Sequence, residues 1–261
     1  MSFEIAAKRY LGDRSIKNKL IGPEVVSIGR WAFMGCTALS EIWIPKGCIV
    51  SENVFDGCTS LDRVVIYEAE HPDVPLNISP ELLSCLIKAK PAQSGEWIKL
   101  APDNERFINE LDERLPFYLS EDDHNGYAPF LAGGEEDYRN EDDARRDYGL
   151  SIRLNKLKMI FERFLAEDLG YSLPEEERGI LDKYLKEDHI REAFGLLISE
   201  TSRMTAYRRY FFDNALGEKL TKNEMLAMAG DDVQLKAMVL SDCAKITTVC
   251  RKNGLESLTL V

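Results

Sequence analysis

The sequence has little of what metal centres and disulfide scaffolds need. Its 261 residues include six cysteines and three histidines, and no two cysteines form a CxxC pair. The histidines, His71, His124 and His189, lie far apart in sequence. Because Cys/His zinc sites use ligands paired at short spacing, no metal site is expected. Free, mostly buried thiols in a reducing compartment are expected instead.

Long apolar runs and targeting signals are also lacking. No run of about 18 apolar residues occurs, so no transmembrane helix is expected. The start of the chain, Met1 to Ile5, lacks the basic and then apolar pattern of a signal peptide. We therefore expect the protein to be cytoplasmic.

Positive charge is scarce. The chain has 33 lysines and arginines against 45 carboxylates, a net charge of −12. Nucleic acids and anionic membranes attract cationic side chains, so neither is expected as a partner. The patterns GxxxxGKS/T, GxGxxG, GxSxG and HExxH do not occur in the sequence. We expect no cofactor, no catalytic residues and no enzymatic activity.

What is present is an internal repeat of 22 residues. Residues 23–44 and 45–66 can be aligned, and most of the matched positions are apolar or turn-forming. The identical pairs are Pro23/Pro45, Phe33/Phe55, Gly35/Gly57, Cys36/Cys58, Thr37/Thr59, Leu39/Leu61 and Ile44/Ile66. Stacked repeats show this pattern because packing constrains the inward residues and leaves the outward ones free. The paired cysteines fall at equivalent positions, where a disulfide is sterically conceivable and a reduced ladder is favoured.

Each repeat contains a short strand with alternating side chains. Ile42, Ile44, Val64 and Ile66 are expected to point inward. The outward row is expected to be the binding face for a protein partner, because an exposed Trp beside Arg and Tyr is typical of interfaces. This row consists of Glu41, Trp43, Arg63, Val65 and Tyr67. The alternative is that Trp43 is covered by helices from the C-terminal part of the chain.

The pattern P-x-x-V-x-I-G-x-x-A-F-x-G-C-T-x-L-x-x-I-x-I resembles the BspA-like bacterial leucine-rich repeats. The resemblance covers about residues 10–67, beginning with the lead-in Tyr10-Leu11-Gly12. It departs from the family at Gly22, where the later repeats have Ile44 and Ile66, and in having 22 rather than 23 residues per repeat. The resemblance implies a leucine-rich-repeat β-solenoid with a binding or adhesion surface and no catalysis.

The remainder of the chain is predicted to be helical. Two repeats leave an apolar end, and residues 79–90, with leucines at helical spacing after Ser79-Pro80, are predicted to cap it. Further helices are predicted over 103–115, ended by Pro116, over 151–168, and over 232–251. Ser172/Glu175 and Thr221/Glu224 have capping-box spacing. The predicted fold is α+β, with a short leucine-rich-repeat stack (1–75) fused to an all-α helical array (76–261).

An acidic segment, residues 121–147, interrupts the helices. Glu121, Asp123, Asn125 and Gly126 match positions 1, 3, 5 and 6 of a calcium loop, but Ala132 stands at position 12. A solvated loop is favoured, with a calcium site or a docking strip for a basic partner as alternatives.

Three functions follow from these observations. The favoured one is a non-enzymatic protein-interaction module that uses the outward strand row or the groove beside the helices. The second is a hydrolase of a small substrate with carboxylates in the helical region. The third is a surface adhesin, which requires an export route.

Overall fold

The computed structural model describes residues 3–77, 79–89, 97–125, 127, 141–198, 204–215 and 220–241. The chain divides into two compact units, Met1–Arg178 and Gly179–Val261. The boundary predicted after residue 75 stays a prediction. The helix Pro80–Lys88, which lies beyond it, packs against the strand Arg63–Tyr67, which lies before it. No helix within the described ranges is long and apolar enough to cross a bilayer.

Short strands form two small sheets in the first unit. The strands are β1 (Phe3–Ile5), β2 (Asn18–Leu20), β3 (Val25–Ile28), β4 (Glu41–Pro45), β5 (Ile49–Ser51), β6 (Arg63–Tyr67) and β7 (Trp97–Lys99). The sheet with the order β1-β3-β5-β7 is parallel except for β7, and the sheet with the order β2-β4-β6 is fully parallel.

Helices follow from residue 80 onward. They are α1 (Pro80–Lys88), α2 (Asn104–Ser120), α3 (Glu141–Leu165), α4 (Glu175–Asp182), α5 (Ile190–Leu196), α6 (Met204–Tyr210) and α7 (Lys222–Met228). A 3-10 turn covers Ala166–Leu169, and π-helical turns cover Lys183–Asp188 and Phe211–Ala215. Of the predicted helix 232–251, residues 233–241 are helical, residue 232 is not, and residues 242–251 lie outside the described part of the chain.

The repeated positions of the sequence stack on one another. The rings of Phe33 and Phe55 are parallel with centroids 5.6 Å apart, and Tyr10 extends the column with its ring 4.8 Å from Phe33. Gly35 and Gly57 both have positive φ, and a Cβ on Gly57 would lie 3.6 Å from the Gly35 Cα. The positive φ therefore favours glycine at these turns, whereas a Cβ on Gly57 would make only ordinary van der Waals contact with Gly35.

The first spacing between equivalent positions is 23 residues rather than 22. Asn18 pairs with Glu41 and Leu20 with Trp43, so Ile21 corresponds to Ile44. Ile21 is buried, which explains why Gly22 departed from the repeat when a shift of 22 was applied.

The cysteines at equivalent positions are reduced. Cys36, Cys48, Cys58 and Cys85 are buried free thiols. The Cys36 Sγ donates to the Tyr10 carbonyl and the Cys58 Sγ to the Phe33 carbonyl, both at 3.0 Å. The prediction of free thiols is confirmed for these four residues, while Cys243 and Cys250 lie outside the described part.

The predicted fold class is wrong. The structure is mixed α/β with two small, parallel-rich sheets, and not a leucine-rich-repeat β-solenoid fused to an all-α array. The region after residue 76 is not all-α, because β7 pairs antiparallel with β5, with Ile98 opposite Val50. Both residues are buried, so burial of this pair favours a strand within a mostly helical region.

The helix predicted over 79–90 is observed as α1. It buries Leu82, Leu83 and Leu86 and packs against β6. The Ser84 hydroxyl donates to the Leu61 carbonyl at 2.6 Å, and the Asn77 side chain bonds to the backbone of Val64 and Ile66. These bonds satisfy backbone groups at the edge of β6 that no further strand reaches in the described part of the chain.

Pro116 does not end its helix, contrary to the prediction. α2 continues to Ser120, with Pro116 inside it. Proline within a helix costs about 3 kcal/mol because it removes one hydrogen bond and crowds the preceding turn. Tyr118 and Leu119, beyond the proline, are buried, and their burial offsets this cost.

The predicted capping box at Thr221 and Glu224 is present. The Thr221 side chain accepts from the Glu224 backbone N–H, and the Glu224 carboxylate accepts from the Thr221 N–H at 2.8 Å. Replacing Thr221 with alanine is expected to lower the free energy of unfolding by about 1 kcal/mol, because the Glu224 backbone N–H loses its acceptor and the Glu224 carboxylate loses the hydroxyl donor. Urea denaturation measures this loss. Thr221→Ser is the matched control and should retain most of the stability; an equal loss in both variants would contradict the capping assignment.

Candidate functional site

The predicted binding row lies across the parallel sheet of β2, β4 and β6. Glu41 pairs with Arg63, Trp43 with Val65, and Pro45 with Tyr67. The alternation predicted for β4 is confirmed, because Ile42 and Ile44 are buried whereas Glu41 and Trp43 are half-buried. The register of the sheet therefore places these residues in one row, but only part of the row is accessible to solvent.

Val65 and Tyr67 are not exposed, so that part of the predicted binding face is wrong. Both are fully buried. The Tyr67 hydroxyl donates to the carbonyl oxygen of Ile21, and β6 packs against α1. The alternation of the strand is correct, but its outer side is covered at this end. Glu41, Trp43 and Arg63 retain access to solvent.

The three accessible residues form a connected polar chain. The Trp43 Nε1–H donates to Glu41 Oε1 at 2.6 Å. The other oxygen of the same carboxylate accepts from Arg63 Nε at 2.8 Å, and Arg63 also pairs with Glu81 of α1. Glu41 thus holds the indole in one orientation, while α1 anchors the far end of the chain. Trp43 is presented on the surface in a fixed position.

Leu20 belongs to the same surface, and sequence reasoning missed it. It is 55% exposed and lies beside Trp43 in register. The signal that could have found it is the 23-residue spacing from Leu20 to Trp43, matching Tyr10 to Phe33. We call the surface formed by Leu20, Glu41, Trp43 and Arg63 the Trp43 face.

Cations cover the outer end of the aromatic column. The Lys19 Nζ lies 4.9 Å from the centre of the Tyr10 ring, and the Arg9 guanidinium carbon lies 5.6 Å from it. Because Phe33 already stacks on Tyr10, these contacts place positive charge at the end of the column next to β2. Lys19 pairs with the inward Ile42, so its side chain lies on the opposite face of the sheet from Leu20 and Trp43.

A second group of polar residues is buried between α1, α2 and α3. The Lys88 ammonium donates to the Leu61 carbonyl at 2.5 Å and to Asn155 Oδ1 at 3.0 Å, and burial lowers the pKa of Lys88. Lys156 donates to Asp123 Oδ1 at 2.8 Å and lies 5.3 Å from the Tyr118 ring centre. Burial raises the pKa of Tyr118. These bonds satisfy buried donors and join the three helices.

The cavities beside this group are small. Two of them, lined in part by Lys88, have volumes of about 20 and 10 Å³. About 10–15 Å³ is enough for one water molecule, so neither cavity has room for a substrate.

A larger open groove of about 650 Å³ runs along α2, where Glu110 pairs with Arg114 of the same helix at 2.5 Å. Convergence of carboxylates on a substrate, as the hydrolase alternative requires, is not evident among these described residues.

The ends of the acidic segment are structured. Asp123 pairs with Arg153 at 2.7 Å and with Lys156 at 2.8 Å, so the third position of the calcium-like spacing already has cationic partners. Residues 141–147 form the first turns of α3. Residues 126 and 128–140 lie outside the described part. Within the described part, no cluster of His, Cys, Asp and Glu suits a metal ion.

None of the known protein families, curated proteins and solved structures compared with the chain matches it. The resemblance to BspA-like repeats therefore stays a prediction that rests on the motif between residues 10 and 67.

Proposed function

We propose that the chain is a non-catalytic module that binds a protein partner through the Trp43 face and acts in the cytoplasm. The observation that carries this proposal is the half-buried Trp43 indole, held by Glu41 and flanked by the exposed Leu20. Binding energy at protein interfaces concentrates in a few aromatic and arginine residues packed among apolar neighbours. The Trp43 face offers such a residue together with Arg63.

Preorganisation strengthens this interpretation. An anchor that is already ordered loses less side-chain entropy on binding than one that must be ordered by its partner. The hydrogen bond from Trp43 to Glu41, and the ion pairs from Glu41 to Arg63 and from Arg63 to Glu81, supply that order in the free protein. A cytoplasmic location is supported by the four buried free thiols, which persist in a reducing compartment.

The hydrolase and adhesin alternatives have less support. In the groove along α2, Glu110 pairs with Arg106 and Arg114 of the same helix. Such i,i+4 pairs stabilise an exposed helix and need no substrate to explain them. We keep the binding function as the proposal.

Replacing Trp43 with alanine is expected to weaken partner binding about tenfold or more, because the anchor is removed. The tagged full chain serves as bait in its native host, and the affinity of each captured protein is then measured with purified components by calorimetry. Trp97→Ala is the matched control, since Trp97 is 59% exposed and lies on β7, outside the Trp43 face.

A partner that loses affinity for Trp43→Ala and not for Trp97→Ala supports the proposal. Equal affinities for the wild-type chain and Trp43→Ala, across all captured proteins, would show that the Trp43 face is not the binding surface. Circular dichroism of both variants establishes that neither result comes from unfolding.

A further inference from the structure

Within the described part of the chain, the β2 edge of the β2-β4-β6 sheet carries no further strand. The Lys17 carbonyl accepts from the Ser40 N–H at 2.7 Å, and the Ile21 N–H donates to the Trp43 carbonyl at 2.9 Å. Successive residues of a strand in a parallel sheet bond to opposite sides. The backbone N–H and C=O groups of Asn18 and Leu20 therefore face away from β4, where no other strand lies in the described part of the chain.

This edge is accessible and continuous with the Trp43 face. Asn18 and Leu20 are exposed, and Leu20 already stands beside Trp43 in register. An unpaired strand edge is a template for an extended segment, which gains main-chain hydrogen bonds by adding to the sheet. A segment added here would continue the row that contains Leu20 and Trp43.

The charge around the edge differs from that of the rest of the protein. Residues 3–30 have six lysines and arginines against three carboxylates, a net charge of +3, whereas the remainder has 27 against 42, a net charge of −15. Lys17 and Lys19 flank the edge residue Asn18, and Lys19 is held over the Tyr10 ring. A positively charged edge on an acidic protein selects an acidic ligand.

We infer that the free edge of β2 accepts an extended, acidic segment of a partner protein as an added strand. The inference rests on the proposed function, because it specifies the chemistry of the partner. A second copy of this chain is a poorer occupant, since pairing the same edge of two copies would bring two positively charged strands together.

The test uses the full ¹⁵N-labelled chain and a peptide of about ten residues with alternating Glu and Val. The Asn18 and Leu20 amide signals should shift on titration, and added salt should weaken binding. The double variant Lys17→Glu/Lys19→Glu should bind about tenfold more weakly or worse. The control Lys99→Glu/Lys222→Glu makes the same charge change at two exposed lysines outside β2 and should bind like the wild type.

A second peptide separates strand addition from charge attraction alone. The same sequence with alternate N-methylated backbone positions keeps its charge and lacks the N–H donors, so it should lose binding. Equal binding of both peptides would overturn the inference. It would also fail if no amide shifted up to about 1 mM peptide, or if a single-stranded RNA of similar length bound more tightly at Asn18 and Leu20. The binding function is tested by the affinity of the Trp43→Ala variant for a captured partner, whereas strand addition is tested by peptide binding at Asn18 and Leu20. Either proposal can therefore fail without the other.

Discussion

Replacing Arg163 with methionine is expected to lower the free energy of unfolding by about 3 to 5 kcal/mol. The Arg163 side chain is fully buried, and its Nη2 donates to Asp112 Oδ2 at 2.8 Å. The guanidinium also donates to the carbonyls of Tyr171 and Ser172, at 3.1 and 3.0 Å. Methionine would fill much of the space but leave the Asp112 carboxylate and two carbonyls without their donor. Urea denaturation followed by circular dichroism measures the loss.

Arg146→Met is the matched control on the same helix. Its side chain is 73% exposed and pairs with Asp143 three residues away, so its loss should cost at most about 0.5 kcal/mol. A double variant, Arg163→Met with Asp112→Leu, should recover part of the stability, because removing both charges leaves no unpaired carboxylate. If Arg163→Met and Arg146→Met were equally mild, α2 and α3 would not depend on this buried pair.

Alkaline pH is expected to destabilise the first unit through its buried thiols. Burial raises the pKa of Cys85 from 9.0 to about 12. The folded state therefore keeps the thiol protonated, whereas the unfolded chain releases the proton above pH 9. The stability that the neutral thiol contributes is complete below pH 9 and is lost as the pH rises from 9 to 12. For one thiol this loss amounts to about 4 kcal/mol across the whole window.

The measurement is the slope of the unfolding free energy against pH above 9. Cys85→Ala should have a slope shallower by up to about 1.4 kcal/mol per pH unit, since one titrating group is removed. Ser84→Ala changes the neighbouring buried residue without removing an ionisable group, so it should keep the wild-type slope. Burial lowers the pKa of Lys88, so this residue makes the unfolding free energy rise with pH, opposite to the effect of Cys85. Because Lys88 is present in all three proteins, its contribution largely cancels when their slopes are compared. Identical slopes for Cys85→Ala and the wild type would contradict this account.

The parts of the site that could be predicted are those governed by local spacing. Alternation in β4 and β6 placed Glu41, Trp43 and Arg63 in one row, and the register of the two strands confirms it. The same rule could not show that Val65 and Tyr67 are buried, because strand alternation distinguishes two faces and does not report what packs on either. The segments that lie against β6, which are α1 and residues 76–77, come later in the chain, so the sequence of β6 alone does not reveal them.

The fold was predicted less well, for a related reason. The three residues of β7 are too few to give a periodic signal within a helical region, and only pairing with β5 makes them a strand. Local preference predicts a helix end at Pro116, yet α2 continues because residues beyond it reach the core. In both cases a contact distant in sequence outweighs a local preference.

The amino-acid pattern alone predicted the repeat, its inward residues, free thiols in preference to a disulfide at the stacked cysteines, and the helix α1 that follows. These features depend on neighbours one repeat or one helical turn away, where spacing and side-chain type carry the information. Tertiary packing decided which members of the outward row stay accessible, which edge of the sheet is left open, and where Arg163 and Lys88 are desolvated. Burial depends on the surfaces that meet in three dimensions, and these are brought together by residues far apart in the chain.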